Sequence, residues 1–342
     1  MSAAPDTQKP TTITDEGKPS EQETTPLSKQ YDTPLGLAHT TMQELKDRIK
    51  LHYDLASDYY LNLWGEHIHH GYWSPSSPDI PKEEAQVNLI RLLLETSQIN
   101  QISPQSSPSE PLKILDVGCG IGGTSRFLAH ELGAHVTGIT ISSKQVQTAK
   151  KLSSSNSQRH QDGEYIPFGP SSGQVRFVEL DAETLGSYFT DEKFDIVWIS
   201  EALSHFPKKD LFFKNAFEVL KPGGKLVLAD WFKDEGLTQE QFDADIKPIE
   251  DGMLLPPMCT AGGYVQYAKE AGLEVVEGPK DISQEVKKTW DISWSLIQNP
   301  SLWAFAFSQG RDGIAFLQAF RAMRRGYANG SFRYAVMGFV KP

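Results

Sequence analysis

Residues 113–123 read Lys-Ile-Leu-Asp-Val-Gly-Cys-Gly-Ile-Gly-Gly, and this spacing could hold a small ligand. A short apolar strand carries Asp116 near its end, and Gly118, Gly120 and Gly122 follow at every second position. Glycines between a strand and a helix let the backbone approach a ligand closely and leave helix N-terminal N–H groups free to bind it. The acid before the first glycine would repel a pyrophosphate but could hold an ammonium group. The GxGxG spacing also departs from the GxGxxG fingerprint of dinucleotide sites. A second cluster, His67, His69 and His70, invites a metal reading. No cysteine or carboxylate cluster accompanies it, so no metal is expected. The histidines are read as polar members of an active-site cap, or as satisfied surface residues.

Such a turn has to be held by a sheet. Strand-like runs occur at Leu112–Val117, His135–Ile141, Val175–Leu180, Phe194–Ile199 and Lys225–Trp231, with helical patterns such as Gly123–Glu131 and Ser143–Leu152 between them. Short apolar runs spaced by helices predict an α/β fold whose parallel sheet is covered on both faces. Leu273–Glu277 and Phe332–Val340 follow, separated by an aromatic-rich helical region. Two polar stretches, 100–111 and 153–174, read as surface loops, and the periodic pattern resumes after each. A length of 342 residues suggests two domains. The pattern instead predicts one domain over 36–342, with an N-terminal helical cap (36–110), a core (111–231) and a late helical insertion with the last strands (232–342).

Residues 1–35 are rich in Thr, Ser, Pro, Gln and Glu, a composition that cannot offset ordering entropy by burial; a disordered tail is expected. The tail has no apolar stretch for a secretory signal, and its acids and lack of arginine speak against a mitochondrial presequence. Two cysteines exclude a disulfide framework and point to a reducing, cytoplasmic setting. A net charge of −11 argues against nucleic acid as a partner. No apolar run approaches the roughly 20 residues that cross a bilayer.

The run LDVGCGIGG resembles motif I of class I S-adenosylmethionine-dependent methyltransferases, and further motifs follow in order. Val136–Gln145 resembles the second-strand motif of the branch containing gamma-tocopherol methyltransferases and cyclopropane-forming lipid enzymes. Asp181-Ala182-Glu183 resembles the adenine-side motif, and Phe194–Trp198 and Val219–Gly224 resemble the fourth strand and the turn before the fifth. His52–Tyr60 with Trp64–Trp73 is similar to the lead-in of tocopherol-type enzymes. The resemblance covers residues 45–342 and implies a Rossmann-like, seven-stranded sheet binding S-adenosylmethionine, with no metal. It implies cofactor contacts from Asp116, Gly118, Cys119, Gly120, Gly122, Asp181, Ala182, Glu183 and Ser200, with Tyr53 lying over the cofactor. Most class I members end the second strand with an acid that holds the ribose. Thr140 and Ile141 stand there in this sequence, which shifts that contact to Thr140 and Gln145.

The tocopherol-type pattern of Trp, Glu three residues on and His four beyond is met at Trp198, Glu201 and His205. The residue before the histidine is usually glutamate, which helps bind bicarbonate in cyclopropane synthases. It is Ser204 here, which weakens a cyclopropane-forming reading. Methyl transfer from a sulfonium needs a positioned acceptor and, for a hydroxyl, a base near neutrality. His205, at the carboxyl end of the fourth strand, is the candidate base, with Tyr72 or Glu201 assisting. Trp290, Trp294, Ile297 and Phe305 form one stripe at near-helical spacing, and Ile314, Leu317, Phe320 and Met323 a second. In the family this insertion forms a lid, so an apolar or aromatic acceptor (phenolic, isoprenoid or polyketide-like) is expected. Arg321, Arg324 and Arg325 read as a solvated face. The competing readings are a cofactor-binding regulatory protein and a cofactor-dependent cyclase; a homodimer is left open.

Overall fold

The computed structural model describes residues 42–99, 110–154, 163–170, 172–297 and 311–342. The expected tail over 1–35, residues 100–109, 155–162 and 171 of the two polar loops, and Phe305 lie outside the described residues. In chain order the elements are α1 (Met42–Trp64), α2 (Lys82–Thr96), β1 (Lys113–Val117), α3 (Gly123–Leu132), β2 (His135–Thr140) and α4 (Ser143–Ser153). They continue with β3 (Ile166–Pro167), β4 (Gln174–Glu179), β5 (Phe194–Ser200), α5 (Lys209–Val219), β6 (Leu220–Lys233) and α6 (Ala261–Glu270). The last are β7 (Glu274–Asp281), α7 (Lys288–Ile297), α8 (Arg311–Asn329) and β8 (Phe332–Val340).

The strands form one sheet in the order β3-β4-β2-β1-β5-β6-β8-β7. β4, β2, β1, β5 and β6 are parallel, while β8 enters antiparallel between β6 and β7. This is the expected α/β, Rossmann-like methyltransferase sheet with one addition: the two-residue β3 pairs antiparallel with β4 inside a stretch read as loop. Side chains alternate across the sheet as the pleat requires. Ile114, Ile196, Trp198, Val227 and Trp231 face one core layer. Leu115, Val117, Val197, Ile199 and Leu228 face the other, against Phe212, Phe213 and Tyr264. β7 closes the edge with exposed Glu274, Lys280 and Asp281, charges that oppose edge-to-edge association.

β1 is flanked by β2 on one side and β5 on the other, so the connections reverse direction at its carboxyl end. Open α/β sheets bind ligands at such a switch point. α1 and α7 reach the neighbouring strands there, Tyr53 lying 3.2 Å from His205 and the Trp290 ring 6.2 Å from Trp231. Trp290 on α7 is 4% exposed and packs against Phe320 and Tyr327 of α8, with ring centroids 5.7 and 6.1 Å away. Of the second stripe, Leu317 and Met323 are buried, whereas Ile314 is exposed. The arginine run is not a purely solvated face. Arg324 lies over Trp294 at 5.1 Å and pairs with Asp291 at 3.1 Å, while Arg325 binds buried Asp245.

Candidate functional site

A cavity of about 590 Å³ opens at the carboxyl ends of β1, β2, β4 and β5, a size suited to one small-molecule ligand. Its floor is the glycine turn. Gly118 has φ +73°, and a Cβ there would meet the Ala202 Cβ at 2.3 Å; at Gly120 (φ +54°) a Cβ would meet nothing within 4 Å. The Gly118 and Cys119 amides donate to the Ile139 carbonyl at 2.9 and 3.0 Å, which ties the turn to β2. Thr140, Ile141 and Gln145 form one wall, and the Thr140 hydroxyl donates to Gln145 Oε1 at 2.6 Å. Ser142 caps α4 by accepting from the Gln145 amide at 3.1 Å, which fixes Gln145 in the first helical turn.

The opposite wall begins with Asp181, Ala182 and Glu183. Asp181 accepts from the Glu183 amide at 2.9 Å and so shapes the short turn that presents this acidic pair. Lys46 of α1 reaches across the mouth, with Nζ 3.0 Å from Asp181 and 2.6 Å from Glu183. Burial would lower the Lys46 pKa, but the hydrogen bond and charge of Glu183, with Asp181, hold it above the usual lysine range. Gln43, Asp47, Lys50 and Tyr53 of α1 also line the cavity, so the helix lies along it as a roof.

At the inner end stand Ser200, Glu201 and His205. His205 Nε2 lies 3.2 Å from the Tyr53 hydroxyl. Burial, followed by the charges of Glu201 and Asp230, raises the Tyr53 pKa and keeps its phenol neutral. Glu201 adopts φ +56°, unusual for a residue with a side chain. Its buried carboxylate accepts from the His70 amide at 2.7 Å, from His70 Nδ1 at 2.9 Å and from the Tyr334 hydroxyl at 2.8 Å. Burial pushes the Glu201 pKa up, yet the His70 charge and hydrogen bonds outweigh it and leave the group below the ordinary glutamate value.

The family profile described as "Methyltransferase domain" matches residues 115–228. The 2-methyl-6-phytyl-1,4-hydroquinone methyltransferase of Synechocystis sp. is 32% identical over 250 residues, covering 70% of this chain and 70% of that protein. The chain belongs to the class I S-adenosylmethionine-dependent methyltransferases, in their tocopherol methyltransferase-like branch. The chloroplastic tocopherol O-methyltransferase of Arabidopsis thaliana is 29% identical, over 89% of this chain and 85% of that protein. A mycolic acid cyclopropane synthase complexed with SAH shares the fold, with TM-score 0.69 at 19% identity, over 86% of this chain and 98% of that one.

The site of this methyltransferase fits its cofactor. The cavity shares Ile68, Gly118, Gly120 and Ser200 as lining residues with a smaller one of about 40 Å³ that Asp116, Cys119, His67 and His69 also line. Ser200 Oγ, His67 Nδ1 and His69 Nε2 point to no hydrogen-bond partner among the described residues although buried, as expected where a polar ligand completes the set. Burial above all lowers the pKa of His67, to about 3, and also that of His69, so both rings are neutral at pH 7.

The structure thus brings Tyr53, Gly118, Gly120, Thr140, Ile141, Gln145, Asp181, Ala182, Glu183, Ser200, Glu201 and His205 to one cavity, and Asp116 and Cys119 to its annexe. It does not bring Gly122 or Tyr72. Gly122 precedes α3 with φ +79°, and a Cβ there would strike the Phe177 ring at 2.6 Å, so the position serves packing. Tyr72 bonds its amide to Ala85 on α2 at 2.8 Å and packs on the core beneath the cap. Lys46 and Lys50 went unread although Gln43, Lys46, Asp47, Lys50 and Tyr53 recur at helical spacing on one face. Tyr334 is 133 residues from Glu201, and no local pattern could have joined them.

Asp230, at the end of β6, is buried and accepts from the Trp231 amide at 2.8 Å, the Ser204 amide at 2.7 Å and the Tyr264 hydroxyl at 3.2 Å. Burial pushes its pKa from 3.8 to about 7 against those hydrogen bonds. A carboxyl with a raised folded pKa gives stability that is full below its unfolded value and is lost as pH rises through the folded one. Asp230 is therefore expected to cost on the order of 4 kcal/mol between pH 4 and pH 7. Urea unfolding across that window should show stability falling as pH rises, and Asp230→Asn should flatten the slope.

Proposed function

We propose that the enzyme methylates a hydroxyl borne by an apolar, ring-containing small molecule, with His205 taking the acceptor's proton. The observation that carries this reading is the inner end of the cavity. His205 there lies 6.4 Å from Trp231, which packs with Trp290 and Phe332 into an aromatic cluster. Apolar rings suit an apolar acceptor, and the imidazole supplies a group able to accept a proton near neutrality. The relatives' names fit: one methylates tocopherol at oxygen and the other is named for a phytyl hydroquinone.

S-adenosylmethionine, when bound, supplies an electrophilic methyl group on a sulfonium. Asp116, Gly118, Cys119 and Ser200 would hold its amino-acid end, Thr140, Ile141 and Gln145 the ribose, and Asp181 with Ala182 and Glu183 the adenine. Tyr53 holds His205 Nε2 at the cavity wall and, with the rest of α1, keeps water out. His205→Ala is expected to lower kcat by about 10²–10⁴-fold. Tyr53→Phe should lower it less, since it removes a positioning contact and not the base. Transfer of labelled methyl to a panel of phenols and hydroquinones, followed across pH, tests both; unchanged turnover and pH profile in His205→Ala would sink the base assignment.

No helix among the described residues is long and apolar enough to cross a membrane. We read 36–342 as one domain with no nucleic-acid partner, and the cytoplasm as the compartment because Cys119 and Cys259 are free thiols. Cell fractionation with an antibody to the chain checks the compartment.

A further inference from the structure

We propose that His69 fixes the amino-acid end of the cofactor, accepting a hydrogen bond through Nε2 from its α-ammonium group, with Asp116 and Ser200 as the other two acceptors. The inference rests on the placing of the amino-acid end beside the glycine turn, and it assigns the smaller cavity to the ammonium and not to the carboxylate. His69 is 6% exposed and lines that cavity. Its Nδ1 lies 2.8 Å from the His70 carbonyl oxygen, which only accepts, so the ring proton sits on Nδ1. Burial, the largest influence, lowers the His69 pKa and keeps the ring uncharged at neutral pH. Nε2 therefore carries a bare lone pair.

That lone pair is buried and has no hydrogen-bond partner among the described residues. The loop that aims it is held from behind. Gln86 of α2, itself 1% exposed, donates to the His67 carbonyl and to the His69 carbonyl, the latter at 3.2 Å. Trp64 Nε1 donates to the same His69 carbonyl at 3.3 Å. Two strand ends complete the lining. Ser200 Oγ, at the end of β5, is buried and likewise without a partner among the described residues. Asp116, near the end of β1, is 3% exposed, and its Oδ2 accepts from the Ser125 hydroxyl at 2.6 Å. Burial pushes its pKa from 3.8 to about 6, and that hydrogen bond alone opposes the rise. Glu66 and Asp116 line the cavity, and no lysine or arginine does. A buried carboxyl, a bare imidazole nitrogen and a hydroxyl oxygen favour a cation, whereas a carboxylate would bring a second negative charge against Asp116. An ammonium carries three N–H donors, one for each acceptor, and a cavity of about 40 Å³ has room for a group the size of a water molecule. A nucleoside without the amine leaves His69 Nε2 unmet, so the site discriminates against it.

The test is isothermal titration of the full chain at neutral pH with three ligands: S-adenosylhomocysteine, its deamino analogue with hydrogen in place of the α-amine, and its decarboxylated analogue. The wild-type protein is expected to bind S-adenosylhomocysteine about 100-fold more tightly than the deamino analogue, and to lose less on removal of the carboxylate. This comparison needs no variant to fold. In His69→Asn the side-chain amide nitrogen takes the place of Nδ1 against the His70 carbonyl while Nε2 is lost. Affinity for the two amine-bearing ligands should fall about tenfold, with that for the deamino analogue unchanged. A purely structural role for His69 would weaken all three ligands alike, and that result would overturn the proposal. So would unchanged binding of all three by His69→Asn, or wild-type binding of the deamino analogue as tight as that of S-adenosylhomocysteine. Failure of the wild-type protein to bind S-adenosylhomocysteine at all would remove the placing of the cofactor as well, which separates that failure from this one.

Discussion

Gly118→Ala should abolish useful cofactor binding, lowering affinity for S-adenosylhomocysteine by about 100-fold or more, whereas Gly120→Ala should keep the fold and weaken binding less. Both positions have positive φ, +73° and +54°, and a side chain in that region costs roughly 1–2 kcal/mol at either. The difference lies in what the new methyl meets. At Gly118 it would sit 2.3 Å from the Ala202 Cβ, far inside contact distance, and Ala202 separates Glu201 from the turn Leu203–His205. Relief of that clash has to move either the floor of the cavity or the segment carrying Glu201 and His205. At Gly120 the methyl meets nothing within 4 Å and protrudes into the cavity. Isothermal titration with S-adenosylhomocysteine, paired with urea unfolding of each variant, separates lost binding from lost folding. A Gly118→Ala protein that binds like wild type would show that the turn does not touch the ligand.

The glycine turn also shows how far the sequence alone could be read. Its chemistry was legible because strand, acid, alternating glycines and helix are contiguous. The division of labour within it was not, since Gly122 faces Phe177 from β4 and only folding brings that ring there. The parallel strands were legible as short apolar runs because both faces of the sheet are buried. β6 begins at Leu220 and not at Lys225 because Leu220 pairs with Phe194 across an irregularity, while the Lys-Pro-Gly-Gly segment between Leu220 and Lys225 turns through Gly223 at φ +75°. Tyr72 and His70 are two residues apart in one lead-in motif, and chemistry alone favoured the tyrosine. The chain turns His70 to Glu201 and Tyr72 to α2, a choice set by contacts with β8 and the cap helix that spacing does not encode. The Lys46 clamp joins residues 135 and 137 positions apart, and only its helical periodicity hinted at it.

Glu201→Ala is expected to destabilise the protein by on the order of 4 kcal/mol at pH 7 and to silence it, the largest stability effect of any substitution at the site. Three donors converge on this carboxylate: the His70 amide, His70 Nδ1 and the Tyr334 hydroxyl. Tyr334 is 0% exposed and His70 2%, so water cannot replace the lost acceptor without entering the core. Each buried donor left unmet costs about 1–3 kcal/mol, and the backbone strain at φ +56° remains in alanine. Glu201→Gly separates the two contributions, because it relieves the strain of roughly 1–2 kcal/mol while orphaning the same donors. It should therefore be the more stable of the two, though still well below wild type. The pH dependence has a definite sign. The Glu201 pKa is held below its ordinary value of 4.5, so its contribution is fully present above that value and is lost as pH falls through the lower folded one. The stability gap between wild type and Glu201→Ala should shrink as pH falls below about 4.5. Asp230 acts in the opposite direction over the neutral range, and because the Glu201 charge helps to raise its pKa it does not cancel there, so the gap is read below that range. A gap that widened in acid would mean that the carboxyl is already protonated in the native state and that His70 is held by something else.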